Sequence, residues 1–303
     1  MTTPILPLHP LLAHAAQQSY PASCLYVVAT PIGNIADISF RSLVVLEKVA
    51  AIACEDTRNT AQLVKQLGIN KPLIAAHEHN EREVAEKIIT RLQQGESIAL
   101  VSDAGTPAVS DPGARIVDAV RDAGFKVVPL PGASAVITAL SASGLLNDQF
   151  YFVGFLPNKA GQRSSALSAL INITATLVFY EAPHRIVDTI AALTALFPGT
   201  RKIVLGRELT KLFEEIHRCD LASASAWLAA DSHREKGEYV VLLEGASPDV
   251  DAEKSEAQRV LGILLSSCSV KQAATLASQL TGQKKNALYE LALRMQILQD
   301  ETD

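Results

Sequence analysis

From residue 24 onward the chain alternates short, continuously apolar runs with stretches in which apolar residues recur every three or four positions. The run 24–29 (CLYVVA) predicts a strand with both faces buried. It is followed by a helix over 39–48, with Phe40, Leu43, Val44 and Leu46 on one side. Strands over 50–54, 73–76, 97–101 and 126–130 then alternate with helices that run to 67, over 80–93 and over 114–123. Gly68 and Gly124 stand just past two of these helices, where a left-handed stop favours glycine. Such βαβα order predicts a parallel sheet covered on both faces, with ligand-binding loops at the carboxyl ends of its strands.

Asn147-Asp148-Gln149 separates a second set of elements. Strands are expected at 150–154, 175–180, 202–206, 213–219 and 238–243, and helices near 161–170, 183–196 and 221–230. No helix intervenes between 202 and 219, so that pair should be antiparallel and the second domain α+β, with a mixed sheet. The expected organisation is a flexible extension over 1–22, a first α/β domain over 23–146 and a second over 147–246. A polar linker over 247–255 containing Pro248 then leads to a helical domain over 256–303. In that tail, helical spacing over 270–281 and 286–298 is interrupted at Gly282. The pattern suits either a small nucleic-acid-binding module or a structural helical hairpin.

Composition narrows the function classes. Of 303 residues, 48% are apolar and 19% charged, an ordinary globular balance. A net charge of −5 excludes a uniformly basic nucleic-acid binder but not a local basic patch, and 5% aromatics speak against a base-stacking RNA platform. Cys24, Cys54, Cys219 and Cys268 lie far apart, so neither a zinc site nor a redox pair is expected. His77 and His79 lack a third ligand at defined spacing, and no metal site is expected there either. Residues 1–22 carry four prolines and no Lys or Arg, unlike a secretory signal, and no uncharged apolar run is long enough to span a bilayer. A cytoplasmic protein without a membrane partner is the expectation.

The chemistry-bearing segments are the loops. Ser102–Gly113 (SDAGTPAVSDPG) leaves a strand with two Asp, two Gly and two Pro, residues that let a ligand approach rigid backbone. Asp103 lies too far from the next helix to cap it, which favours a ligand role for 103–106. Asp111 and Pro112 fit an N-cap followed by proline at the first helical position. Similar loops stand at 30–34, 55–58 and 131–134, and none matches a dinucleotide fingerprint or a P-loop. In Glu55-Asp56-Thr57-Arg58, helix capping with an ion pair competes with a charge cluster that orients a substrate hydroxyl. His184, Arg185, Arg207 and Lys211 gather positive charge after second-domain strands, as a phosphate-bearing substrate would require.

These motifs together resemble the tetrapyrrole methylase superfamily, the class III S-adenosylmethionine-dependent methyltransferases. More narrowly they resemble the ribosomal RNA small-subunit methyltransferase I family. The resemblance runs through TPIGN (30–34), EDTR (55–58), SDAGTPAVSDPG (102–113), PLPGASA (129–135), GFLP (154–157), YEAPHR (180–185) and RELTK (207–211). It continues in the tail through VKQAATLA (270–277) and KKNALYELAL (284–293). It implies a two-domain α/β homodimer that binds S-adenosyl-L-methionine between its domains and methylates a cytidine ribose 2′-oxygen in 16S rRNA of the small ribosomal subunit. By resemblance, Ile32 and Gly33 border the cofactor, and Asp103, Ala104, Gly105 and Thr106 hold its methionine end. Ser134 and Ala135 line the same pocket, and Glu181 and Leu209 close over the adenosine. The first loop departs from the superfamily's usual GxGPG, and the loop from 102 is longer than its Gly-Asp-Pro counterpart.

Methyl transfer needs an in-line nucleophile, so positioning supplies most of the catalysis. A ribose hydroxyl also needs help in losing its proton, for which Glu55, Asp56, Arg58 and Lys211 are the candidates. Asn34, His184, Arg185 and Arg207 are the candidate substrate contacts. Two other functions compete: methylation of a tetrapyrrole-like small molecule, and a non-catalytic rRNA-binding assembly factor.

Overall fold

The structure, a computed structural model, describes residues 10–247 and 250–300. It divides into two compact units, 1–245 and 246–303.

The first unit contains two five-stranded sheets. Strands β1 (Cys24–Val28), β2 (Ala51–Cys54), β3 (Leu73–Ala75), β4 (Ile98–Val101) and β5 (Lys126–Leu130) form the first, in the order β3-β2-β4-β1-β5 and all parallel. Helix α1 (Pro10–Gln17) precedes this sheet, and α2 (Phe40–Lys48), α3 (Thr57–Gln66), α4 (Glu81–Gln93) and α5 (Ala114–Asp122) connect its strands. Alternate strand residues feed two cores. Tyr26, Val28, Ile52 and Cys54 meet Val45, Leu46 and Val49 at the end of α2, while Leu25, Ala53, Ile98 and Leu100 meet α4 and α5. Helix α4 supplies Val84, Ile88 and Leu92, four residues apart and therefore on one face, and each such burial is worth about 1.5–3 kcal/mol.

The second sheet comprises β6 (Phe150–Phe155), β7 (Thr176–Glu181), β8 (Lys202–Arg207), β9 (Glu215–Asp220) and β10 (Tyr239–Leu243), in the order β6-β7-β10-β8-β9. β6 and β7 are parallel and the remaining pairs antiparallel, including the expected β8–β9 pair. Helix α6 (Ala135–Ser143) leaves the first sheet and lays Val136 and Ala139 against Val178, Val204, Val240 and Leu242 of the second. The opposite face packs on α7 (Ala160–Ser168), α8 (Ile186–Leu196) and α9 (Leu221–Ala229).

The second unit is α10 (Val250–Leu265), α11 (Val270–Thr281) and α12 (Lys285–Asp300). Ala257, Ala273, Ala274, Ala277 and Ala292 sit in its core with Leu261 and Leu288, small residues that let the helices approach closely. Gly282, with φ +71°, supplies the left-handed stop of α11.

Two expectations change. Residues 10–22 of the supposed flexible extension contain α1, whose Ala15 is buried and accepts a 2.8 Å hydrogen bond from the Tyr20 hydroxyl; residues 1–9 lie outside the described residues. The supposed linker over 247–255 is helical from Val250, because the Asp-Ala-Glu-Lys composition after Pro248 favours helix over coil. Among the described residues no helix is long and apolar enough to cross a membrane.

Candidate active site

β1 and β4 are neighbours in the sheet although the chain leaves β1 for β2, so their carboxyl ends open the crevice where parallel sheets bind ligands. The loops beyond them are laced together. Thr30 N–H donates to the Gly105 carbonyl (2.8 Å), Gly105 N–H donates back (3.0 Å), and the buried Thr30 hydroxyl donates to the Ser102 carbonyl (3.1 Å). The Thr106 hydroxyl reaches the Ala133 carbonyl beyond β5 (3.0 Å). Gly105 holds φ +81°, a left-handed backbone that a β-carbon would strain, and that carbon would press on Ile32 at 3.4 Å.

The second half of the long loop differs from its expected role. Ala108 and Ser110 take left-handed φ values of 66° and 62°, unusual for residues with a β-carbon. The N-cap of α5 is Gly113, whose amide donates to the buried carboxylate of Glu81 at the start of α4. Asp111 therefore does not cap α5. It turns into the cavity instead. Burial, together with the nearby Glu55 and Asp103 carboxylates, pushes its pKa up to about 6 against the opposing pull of the Ser102 hydroxyl.

In the 55–58 segment capping prevails. The Asp56 carboxylate accepts from Arg58 N–H (2.8 Å) and pairs with the Arg58 guanidinium (2.6 Å), whose hydrogen bonds hold its pKa down to about 2. The Asp103 carboxylate anchors the same helix start, accepting from Asp56 N–H (3.1 Å) and the Asn59 amide (2.7 Å). Burial first, and then Asp103 and Asp56, raise the pKa of Glu55. Asn34 caps a 3-10 turn, Ile35–Asp37, through Ala36 N–H (3.1 Å).

The second sheet completes a cavity of about 300 Å³. Glu181, at the end of β7, is buried and accepts from the Thr189 hydroxyl (2.6 Å) and its neighbour Ala182 N–H (2.9 Å). Arg185 Nε lies 3.2 Å from the same carboxylate, an ion pair not aligned as a hydrogen bond, while its Nη2 donates to the Leu156 carbonyl (2.5 Å). After β8, Glu208 and Thr210 hold left-handed φ values of 48° and 65° and turn Leu209 inward onto Gly206. The Lys211 ammonium bridges Glu208 (2.8 Å) and Glu238 (2.7 Å). Burial opposes its charge, yet these two hydrogen bonds outweigh burial and raise its pKa. The Lys211 stem lies over Gly33, where a β-carbon would approach Cγ to 2.4 Å.

Of the residues singled out in the sequence, Ile32, Asp103, Ala104, Gly105, Thr106, Ser134, Ala135, Glu181, Leu209 and Lys211 line this cavity. Gly33 touches it only through Lys211, and Glu55, Asp56, Arg58 and Asn34 stand outside its wall. His184 is exposed nearby, while Arg185 and the buried Arg207 are committed to internal partners: Arg207 donates to the carbonyls of Lys236 (2.7 Å) and Phe213 (3.3 Å). Sequence reasoning missed Asp111, Phe155, Tyr180, Glu208, Tyr239 and Val240. Tyr180 stands within a motif already singled out; Tyr239 and Val240 carry no signal beyond that of a buried strand. Among the described residues no three His, Cys, Asp or Glu side chains form a metal-sized cluster.

Residues 24–225 match the family model of the tetrapyrrole (corrin/porphyrin) methylases, and residues 251–296 match that of the RsmI C-terminal HTH domain. A ribosomal RNA small subunit methyltransferase I from Pseudomonas aeruginosa is 50% identical over 91% of this chain and 98% of its own length. Its namesake from Escherichia coli O157:H7 is 48% identical over 90% of this chain and 95% of its own. Among solved structures, the methyltransferase CobJ superposes with a TM-score of 0.56 at 19% identity, covering 74% of this chain and 94% of that one. A Thermus thermophilus uroporphyrin-III C-methyltransferase complexed with S-adenosyl homocysteine reaches 0.51 at 16% identity, covering 73% of this chain and 97% of that one. At those identities the likeness establishes the fold. By sequence, the chain belongs to the ribosomal RNA small subunit methyltransferase I family, within the tetrapyrrole methylases.

Proposed function

We propose that this protein transfers a methyl group from S-adenosyl-L-methionine to the 2′-oxygen of a cytidine ribose in 16S rRNA of the small ribosomal subunit, working in the cytoplasm as a homodimer. The observation that carries the reading is a cavity walled by both sheets in a chain that matches rRNA methyltransferases over nearly their whole length. The wall suits this cofactor chemically. Ile32, Ala135, Leu209 and Val240 offer an apolar slot for a purine, while the Asp103 carboxylate suits a cationic group. Its volume of about 300 Å³ is in the range of small-molecule sites.

When bound, the cofactor supplies an electrophilic methyl group whose bond to sulfur breaks as the bond to the acceptor oxygen forms. The chain's own residues position, exclude water and handle the proton. Ile32, Ser134 and Leu209 would pack on the cofactor, and Gly105 would let it approach bare backbone. Lys211, held as an ammonium by two carboxylates, is not a base. Its role is to fix the loop after β8 against Gly33.

The test is to incubate the protein with methyl-labelled S-adenosylmethionine and small ribosomal subunits that lack the modification, then digest the RNA to nucleosides. The expected product is 2′-O-methylcytidine at one position. Label on a base or in a porphyrinoid supplied as competitor, or cofactor binding without transfer, would overturn the reading.

A further inference from the structure

We propose that Asp111 is the general base that takes the proton from the acceptor hydroxyl, an inference that rests on the methyl-transfer reading above. Asp111 lines the cavity, and it does not perform the structural task its sequence position suggests, since the N-cap of α5 is Gly113, whose amide donates to Glu81 from another helix. The backbone that presents it is strained, with left-handed φ values at Ala108 and Ser110, a conformation that residues with a β-carbon hold at functional sites.

The groups facing Asp111 explain its state. Glu55 beyond β2 and Asp103 beyond β4 repel its charge, the Ser102 hydroxyl favours it, and Tyr180 at the end of β7 senses it across the cavity. Lys211, Glu208 and Glu238 line the same cavity, with the ammonium already held between the two glutamates. Asp111 is thus a half-buried carboxylate that binds a proton near pH 6, close enough to neutrality to accept one and release it again. Asp103 does not compete for this role, because its carboxylate already receives Asp56 N–H and the Asn59 amide. Atoms balance: the new O–C bond forms as the S–C bond breaks, sulfur keeps that electron pair and loses its positive charge, and the hydroxyl proton moves to Asp111 and then to water.

The experiment compares wild type with Asp111→Asn and Asp111→Ala in single-turnover methyl transfer to unmodified small subunits between pH 5 and 9. Calorimetry measures S-adenosylhomocysteine affinity for each protein. We expect the wild-type rate to rise about tenfold per pH unit below the Asp111 pKa of about 6 and to level off above it. Both variants should lose about a hundredfold or more in rate and the acid limb of the profile, with product-cofactor affinity within about threefold of wild type. A wild-type profile flat through that range, or an Asn variant that retains the rate, overturns the proposal alone. A loss of cofactor affinity as large as the loss of rate also overturns it, making Asp111 a cofactor-holding group. Wild-type protein that methylates no rRNA overturns the reading beneath it, and the proposal with it.

Discussion

The two sheets build the cavity in different ways. The parallel sheet contributes loops: chain leaves β1, β4 and β5 through Gly- and Pro-rich turns that hydrogen-bond to one another, as Thr30 does with Gly105 and Thr106 with Ala133. The mixed sheet contributes strand residues, Tyr180 and Glu181 on β7, Gly206 on β8, Tyr239 and Val240 on β10, together with one strained loop after β8. The first wall is held by backbone hydrogen bonds between loops. The second is held by charge pairs, the buried one of Glu181 with Arg185 and a more exposed bridge of Lys211 to Glu208 and Glu238. Substitutions should therefore act on the second wall through charge and on the first through loop geometry.

The largest effect is expected where that contrast is sharpest. Arg185→Ala leaves the Glu181 carboxylate buried without its cation and the Leu156 carbonyl without its donor, and should cost about 3–5 kcal/mol in denaturant unfolding. On the first wall, Asp103→Ala frees Asp56 N–H and the Asn59 amide and removes a carboxylate from the cavity wall, and cofactor affinity measured by calorimetry should fall about tenfold (~1.4 kcal/mol). Asp111 tests whether that wall also stores unfavourable charge. Its folded pKa of about 6 lies above the unfolded value of about 3.9, so the folded state binds the extra proton between them. Its contribution is fully present below the unfolded value and is lost as pH rises through the folded one. Asp111→Asn should accordingly melt a few degrees higher than wild type at pH 8, with the difference closing toward pH 4. The smallest effect belongs to Arg58→Ala, which removes an exposed ion pair and should leave the melting temperature unchanged.

The same contrast governs what could be read from the chain alone. The loops of the parallel sheet were legible because Gly and Pro interrupt apolar runs, and a ligand cradle needs those residues for backbone reasons. Asp111 was misread because Ser-Asp-Pro-Gly has the form of a helix start, and the true partner of the Gly113 amide, Glu81, comes from a separate helix. Arg185 and Arg207 looked like phosphate contacts because charge is visible in sequence and burial is not. Both are turned inward, Arg185 onto the neighbouring Glu181 carboxylate and the Leu156 carbonyl, and Arg207 onto the Lys236 carbonyl, two carbonyls that only the fold brings near. Tyr239 and Val240 were invisible as site residues, since a strand buried on both faces looks the same whether one end meets a ligand or a core. The helix from Val250 went unseen because Pro248 and the acidic residues after it resemble a linker, while the helix-forming Ala, Glu and Lys follow immediately.

If the cavity walled by both sheets holds the cofactor, filling it must abolish binding. Ala135, at the start of α6, faces that cavity with the smallest side chain that has a β-carbon, and Ala135→Phe would fill it from the wall. This is measured by calorimetric titration of S-adenosylhomocysteine into wild type and into Ala135→Phe, with folding of both checked by circular dichroism. One molecule should bind per wild-type chain and none to the folded variant. Equal binding to both would place the cofactor elsewhere in the chain.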